Sequence, residues 1–468
     1  MCTPVKGRGR VRLNVGGRMF ETTAATLASA GRDTMLGAML DAAWNNSDCT
    51  VAADEEEYFI DRDPDCFAVL LDLLRTGSLH VPPHVTDRFL CREALYYGLL
   101  DAVRAARWGP LDGDRLCLAA SVPGTATGDG TAVRAAPDGG LCVAHGGAVR
   151  VYNWVLEERR PVNLHHAPVN DAAYLDESTL LLAARDRPGG GGGVAAFSAL
   201  TGDLTHRYRV SHDRQVRPFT PGALAFDPHR GNIFASCKGR FNEYGIGVWD
   251  STAGEQVGFL YEPPGCALGD ADKLQWIDGT GTLMAATMFP RTDSSFISLL
   301  DFRDKNGVAW SWSDVGTPAS SMEDKHVLHA VAMDDGQSLC VINQYDDLGF
   351  LDIRSSGNAS GGVRWRSRSK LAAATRKKQK RNAPPQRAHG EEETCYPKLA
   401  AHGGQLFAST GDAISVFSGP DYVLTSTLRG SDGAGAICDF SIGGDRLFAL
   451  HDEVNVVDVW ETPPAPVI

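Results

Sequence analysis

The feature that most constrains this chain is a repeated arrangement of strand and turn signals running from about Leu116 to Trp460. Seven degraded units can be laid over one another. They begin AVRAAPDGGLCVAHGG at Ala132, PVNDAAYLDESTLLLAARD at Pro168, PGALAFDPHRGNIFASC at Pro221 and DKLQWIDGTGTLMAATM at Asp272. The others are HAVAMDDGQSLCVIN at His329, KLAAHGGQLFAST at Lys398 and AICDFSIGGDRLFALH at Ala436. Each reads as a strand, a turn of Asp or Gly, a second strand of small apolar residues, a variable loop, and a strand closing on an aromatic residue or an Asp-Arg pair. Such runs of β-formers punctuated by Gly, Pro, Asn and Asp are the signature of tightly turned antiparallel strands.

One four-stranded unit of this kind cannot bury both faces until neighbours stack on it. Repeats near a period of ~40–45 residues mark propeller blades. We therefore expect an all-β propeller over residues 115–462, seven-bladed, with the strand RLCLAASV from Arg115 closing the ring by pairing into the last blade. An irregular β-sandwich, or two, is the other arrangement open to such strands. The pattern resembles WD40-type repeats. Only Val248-Trp249-Asp250 comes close to the WD dipeptide and no regular GH dipeptide occurs, so the blades are divergent.

The first hundred residues have a different texture. Val11 to Val15 alternates apolar and polar, Gly16-Gly17 supplies a turn, and Met19 to Thr22 resumes extended character, which reads as a β-hairpin. Thr23 or Thr26 can cap a helix, and Thr34 the next, with Met35, Leu36, Met39 and Leu40 at helical spacing. Tyr58 to Asp61 forms a short strand, and Asp63-Pro64 opens a helix with Asp as cap and Pro in the first turn. Its Phe67, Leu70, Leu71 and Leu74 fall on one face and Gly77 ends it. A last helix is expected from about Arg88 to Arg104, carrying Leu95, Tyr96, Leu99 and Leu100.

Four ordered motifs in this region carry a resemblance. The NVGG core within Val11 to Thr22, FIDRDP at Phe59 to Pro64, LLRTG at Leu73 to Gly77, and EALYYG at Glu93 to Gly98 resemble the tetramerisation domain of voltage-gated potassium channels and of the soluble BTB/POZ proteins that share it. The resemblance implies a small α/β BTB domain over residues 9–108 that self-associates into a tetramer or pentamer and, in many relatives, docks cullin-3 of RING-type ubiquitin ligases. It places Asn14, Gly16, Gly17, Asp61, Arg62, Asp63 and Arg75 in support of the fold and the subunit contact. Charged residues held in a short turn fit ion pairing across a polar interface, which sets specificity more than affinity. Asp61 and Asp63 read equally well as strand-end and helix-cap residues. For the cullin contact, Leu36, Met39, Leu40 and Tyr97 are candidates on expected exposure. Some channel members bind zinc between subunits near the end of this domain, but here Cys91 stands alone without the paired cysteines, so no metal is expected.

Composition bounds the rest. At 468 residues the chain exceeds one ordinary domain, and 43% hydrophobic residues supply material for sizeable cores. The net charge is −13, yet from Ile353 to Gly390 there are eleven basic residues and no acidic one, so the remainder carries 34 basic against 58 acidic residues. So acidic a body is a poor nucleic-acid binder, since phosphate backbones need an extended basic face. Eleven cysteines with no CxxC pair make neither a disulfide nor a zinc framework. The N-terminal residues lack the apolar stretch of a signal peptide and no run approaches the ~20 apolar residues needed to cross a bilayer. A cytoplasmic or nuclear location is the expectation.

No seat for catalysis is legible. GxSxG, HExxH, P-loop and kinase signatures are absent, and the run Gly189 to Gly193 lacks the Lys-Ser/Thr that phosphate binding needs. His165-His166 and the pair His326, His329 lack the company of Cys or carboxylate that metal sites show. No cofactor is expected. The basic stretch from Arg364 through Lys370 to Arg376, Lys377, Lys378, Lys380 and Arg381 lies between the fifth and sixth units, in an insertion (364–394) of disordered composition, although Trp365 fits the outer strand of the fifth blade. A nuclear-localisation signal, an anionic-surface contact and a plain solvated loop all fit it. The expected function is that of a non-enzymatic adaptor: a substrate-recognition subunit of a cullin-3 ubiquitin ligase, its propeller gripping a protein substrate, or an oligomeric scaffold without a ligase.

Overall fold

The computed structural model describes residues 10–31, 34–39, 57–108, 111–124, 130–164, 167–185, 193–212, 215–239, 244–263, 266–288, 295–303, 307–314, 326–354, 363–366, 395–431, 433–452 and 456–463. The chain divides into two compact units, residues 1–110 with 463–468, and residues 111–462.

The first unit opens with β1 (Arg10–Val15) and β2 (Arg18–Thr23), an antiparallel hairpin across Gly16-Gly17, to which β3 (Glu57–Ile60) adds parallel to β1, giving the order β2-β1-β3. The described residues of this unit also form five helices, of which the first three carry the side-chain caps expected from the sequence: α1 (Ala24–Ala28), α2 (Met35–Ala38), α3 (Pro64–Thr76), α4 (Asp87–Tyr97) and α5 (Leu100–Arg107). Thr23 Oγ1 accepts the Thr26 N–H at 3.1 Å, Thr34 Oγ1 the Gly37 N–H at 3.0 Å, and Asp63 Oδ1 the Cys66 N–H at 2.8 Å, each satisfying a donor that the first helical turn leaves over. Gly77, at φ +71°, ends α3. The core gathers Phe67, Leu70, Leu71 and Leu73 of α3 under the sheet, with the Phe67 ring 5.0 Å from Phe20 and 5.3 Å from Tyr97. One expectation is corrected: the single helix from Arg88 to Arg104 is two, because Gly98 turns left-handed (φ +73°) and caps α4. In the corner so formed the Gly98 Cα packs against Thr34; a methyl there would stand 3.1 Å from the Thr34 Cα.

The described residues of the second unit form seven four-stranded antiparallel sheets. Their innermost strands are Gly130–Ala135, Val169–Tyr174, Phe219–Asp227, Lys273–Ile277, Val327–Ala332, Leu399–His402 and Ile437–Gly443. Each touches the next, and the last touches the first, so the sheets close into a ring of blades. Apolar strand faces meet between blades. Trp249, fully buried, stacks on Phe219 and donates its indole N–H to the Arg209 carbonyl at 2.9 Å, which spares the buried polar edge the cost of an unmade bond. Trp365 lies on the outer strand Arg364–Arg366 of the fifth blade, opposite Gly349.

The seventh blade is built from both ends of the unit. Three strands come from 437–461, and the outermost is Cys117–Val122, registered Val122 to Val457 and Ser121 to Asp458. Asp458, wholly buried, accepts from Ser121 Oγ at 2.5 Å, Ser431 Oγ at 2.7 Å and the Ser431 N–H at 2.8 Å, while His451 Nε2 stands 3.2 Å from its other side. Burial alone would push this carboxyl up; the bonds from His451, Ser121 and Ser431 outweigh it and hold Asp458 well below the usual carboxylate range. Between neighbouring blades, Arg134 of the first reaches Asp171 of the second and Asp439 of the seventh, both at 2.5 Å, and so ties three innermost strands together.

Candidate interaction surfaces

In the first unit the NVGG and FIDRDP motifs meet. The Gly16 N–H donates to the Ile60 carbonyl at 2.9 Å. Gly16 lies at φ +54°, and a methyl on it would stand 2.5 Å from the Arg62 carbonyl oxygen, so only glycine lets the hairpin turn sit on the FIDRDP turn. Gly17 is also left-handed (φ +88°) but faces open space. Asn14 is half-buried on β1, opposite Phe59.

The two aspartates and the arginine of FIDRDP separate by role. Asp63 caps α3, Asp61 is exposed, and Arg62 folds inward. Its guanidinium makes a two-point pairing with Glu93 of α4 (3.1 and 2.9 Å) and lies over the Tyr96 ring at 4.1 Å. Glu93 is buried, and the fork that meets it is the geometry in which Arg–carboxylate pairs are strongest. Arg75, exposed at the end of α3, donates to the Glu21 carbonyl at 2.6 Å and fastens the helix to β2. Of the residues expected at a subunit contact, Gly16, Arg62, Asp63 and Arg75 thus make contacts within the fold itself.

The exposure expected of the cullin-docking candidates is corrected. Leu36, Met39 and Tyr97 are buried, because α2 lies against the α4–α5 corner and Tyr97 fills the core beside Phe67; Leu40 lies outside the described residues. Large apolar side chains of this unit that do face outward include Phe59 (65% exposed), Leu95 (56%), Met19 (49%), Tyr96 (45%) and Phe89 (38%). Phe59 was legible in principle, since Ile60 points inward and alternation sends its neighbour out. Leu95 and Tyr96, expected only as members of the last helix, stand on the outward side of α4.

In the second unit the loops at one rim of the ring leave a polar cleft between the second, third and fourth blades, lined by Asn170, Arg185, Thr220, Lys238 and Asp270, with Lys238 and Asp270 paired at 2.9 Å. A hairpin not foreseen in the sequence, Val210–His212 with Gln215–Arg217, projects between the second and third blades and exposes Val216. Rigid blades carrying variable loops make a scaffold on which functional side chains can be held. Among the described residues no group of three His, Cys, Asp or Glu side chains is arranged to hold a metal ion, and no helix is long and apolar enough to cross a membrane. His165, His166 and the basic residues Arg376, Lys377, Lys378, Lys380 and Arg381 lie outside the described residues.

A fold of this kind, an α/β tetramerisation-type unit followed by a ring of four-stranded blades, defines a BTB/POZ-propeller protein. Residues 11–105 match the model of the BTB/POZ domain, and residues 124–462 match that of the At2g24240-like, C-terminal beta propeller. The chain belongs to that family. It is 57% identical to the BTB/POZ domain-containing protein At2g24240 and 55% identical to At4g30940, both of Arabidopsis thaliana, each time over 98% of this chain and 99% of the relative. The voltage-gated potassium channel protein Shal of Drosophila melanogaster is 37% identical over 94 residues, 20% of this chain and 15% of the channel.

Proposed function

We propose that this protein is a non-enzymatic, oligomeric adaptor that presents protein substrates to a cullin-3 RING ubiquitin ligase: the BTB domain self-associates and docks the cullin, and the propeller holds the substrate. The observation that carries the reading is the union, on one chain and across its full-length relatives, of a self-associating domain type with a rigid ring of loops. Several propellers on one oligomer would strengthen weak substrate contacts through effective concentration. The test is a pull-down of the purified full chain with the N-terminal region of cullin-3. Retention at micromolar concentration supports the adaptor, and its loss in a Phe59→Arg/Leu95→Arg variant that stays folded assigns the contact to the outward side chains; no retention of the wild type overturns the ligase reading.

The second reading, an oligomeric scaffold without a ligase, draws on the burial of Leu36, Met39 and Tyr97, which removes the apolar docking residues expected from the sequence. For location we propose the cytoplasm with access to the nucleus through the basic segment. A fluorescent fusion in which Arg376, Lys377, Lys378, Lys380 and Arg381 are replaced by Ala should lose nuclear signal; an unchanged distribution would sink that proposal.

A further inference from the structure

Large apolar side chains are unevenly exposed around the ring of blades. Among the described residues of the second unit seven are exposed, and five of them, Leu200, Leu204, Val216, Val257 and Tyr261, lie on the second and third blades and the hairpin between them. The other two, Leu118 and Tyr345, stand on the seventh and fifth blades. Single exposed apolar residues are ordinary, but a contiguous group marks an interaction site.

The group is contiguous because the outermost strands of the two blades, Leu204–Tyr208 and Gln256–Tyr261, meet at the flank of the ring. His206 Nε2 stands 3.1 Å from the Gly254 carbonyl, and the Ser211 N–H of the hairpin donates to Gln256 Oε1 at 2.7 Å. Behind them Tyr208 and Phe259 pack on buried Trp249. What remains open is a groove of about 550 Å³ whose lining includes Leu204, Arg207, Arg209, Ser211 and Gln256. Val216 is registered opposite Ser211, Val257 follows Gln256, and the Tyr261 ring lies 4.8 Å from Phe259, so the exposed apolar residues border this groove.

Its charge is opposite to that of the molecule. From Leu204 to Arg217 there are four Arg and one Asp, and from Gly254 to Tyr261 a single Glu, in a chain of net charge −13. Arg207 and Arg209 are exposed, and neither has a carboxylate within ion-pair distance among the described residues. Arg217, on the hairpin opposite Val210, has a buried Nε with no hydrogen-bond partner among the described residues. Nearby carboxylates are engaged elsewhere: Asp203 pairs with Arg160 at 3.6 Å, and Asp250 accepts the Thr252 and Ala253 N–H groups of its own turn. Apolar surface rimmed by unpaired cations selects a partner of negative sign, the apolar part supplying affinity and the charges specificity.

We propose that this flank groove docks an extended acidic segment of a partner protein, whose apolar side chains cover Leu204, Val216 and Val257 while its carboxylates meet Arg207 and Arg209. Both bordering strands are outermost in their sheets, so each keeps an unpaired edge to which an extended chain can add. Nucleic acid fits less well, since a phosphate backbone calls for an extended basic face rather than an apolar one. The proposal rests on the adaptor reading only in that the propeller holds a protein.

Panning a phage-displayed library of random peptides on the full chain, then measuring synthetic copies of the enriched peptides by fluorescence anisotropy, tests the groove. Enriched peptides are expected to combine Asp or Glu with apolar residues and to bind less tightly as salt rises. Arg207→Glu/Arg209→Glu should weaken them about tenfold or more, and Leu204→Ser/Val257→Ser likewise. These side chains are exposed, so both variants should melt as the wild type does. Arg429→Glu, a charge reversal at an exposed site on the outermost strand of the sixth blade, should leave binding unchanged. Retention of the cullin-3 N-terminal region should be the same in all of these proteins, so peptide binding without cullin retention sinks the ligase reading and leaves the groove standing. Four results overturn the proposal: no enriched peptide, enriched peptides without acidic residues, binding unchanged in both double variants, or an oligouridine RNA that outbinds every peptide and is lost in Arg207→Glu/Arg209→Glu.

Discussion

Gly16 and Gly17 are adjacent, both left-handed, and not equivalent. Gly17→Ala meets only the backbone strain of a positive φ, about 1 kcal/mol. Gly16→Ala adds a clash with the Arg62 carbonyl that neither turn can relieve alone, so it should lower stability to urea by at least twice as much. Arg62→Ala removes the fork from buried Glu93; with the Arg62 side chain 30% exposed, the loss should be about 2 kcal/mol. Arg62→Ala/Glu93→Gln should recover part of it, and a double variant no better than the single would disprove the coupling. At this scale the sequence was legible where the chemistry is local: the cap by Asp63 and the turn at Gly16 follow from neighbouring residues. The partner of Arg62 is 31 positions away. No local pattern marks it, so the pairing of Arg62 with Glu93 was not legible in the sequence.

Among elements, the repeats revealed the blades because the second strand of each is a run of small apolar residues buried on both faces, a pattern that survives divergence. The break between α4 and α5 was missed because Gly98 sits inside a helical spacing of apolar residues, and only its approach to Thr34 makes glycine necessary. The strand Cys117–Val122 is held by Asp458 and His451, and this closure should depend on pH. Burial opposes the charge of His451, but the bonds to Asp458 and the Gly435 carbonyl prevail and raise it above its ordinary 6.5. Its contribution is therefore complete below about pH 6.5 and fades as pH rises through the raised value. Asp458, held low, contributes fully above about pH 4 and fades as pH falls through its depressed value. The wild type should lose melting temperature between about pH 6 and pH 9 more steeply than His451→Gln, which lacks the titrating partner; parallel curves would show that the pair does not govern closure.

At the scale of the molecule, two compact units predict two calorimetric transitions rather than one. Ser121→Ala, which removes a bond from the closing strand to Asp458, should lower the propeller transition and leave the other in place; a shift of both together would contradict independent folding. Light scattering on the full chain should give four or five copies of 50.1 kDa. A monomer would remove the basis for multivalent binding.

The blade that joins residues 117–122 to residues 437–461 also orders events in time. During synthesis the BTB domain and the closing strand leave the ribosome first, and at ordinary elongation rates Val457 follows about 20–70 s later. Until then an apolar strand waits without its partner while the domain ahead of it is already free to assemble. A chain cut short before Val457 would thus enter the oligomer carrying an open ring, and one such copy would place an unpaired sheet edge, a template for aggregation, inside a complex of otherwise intact subunits.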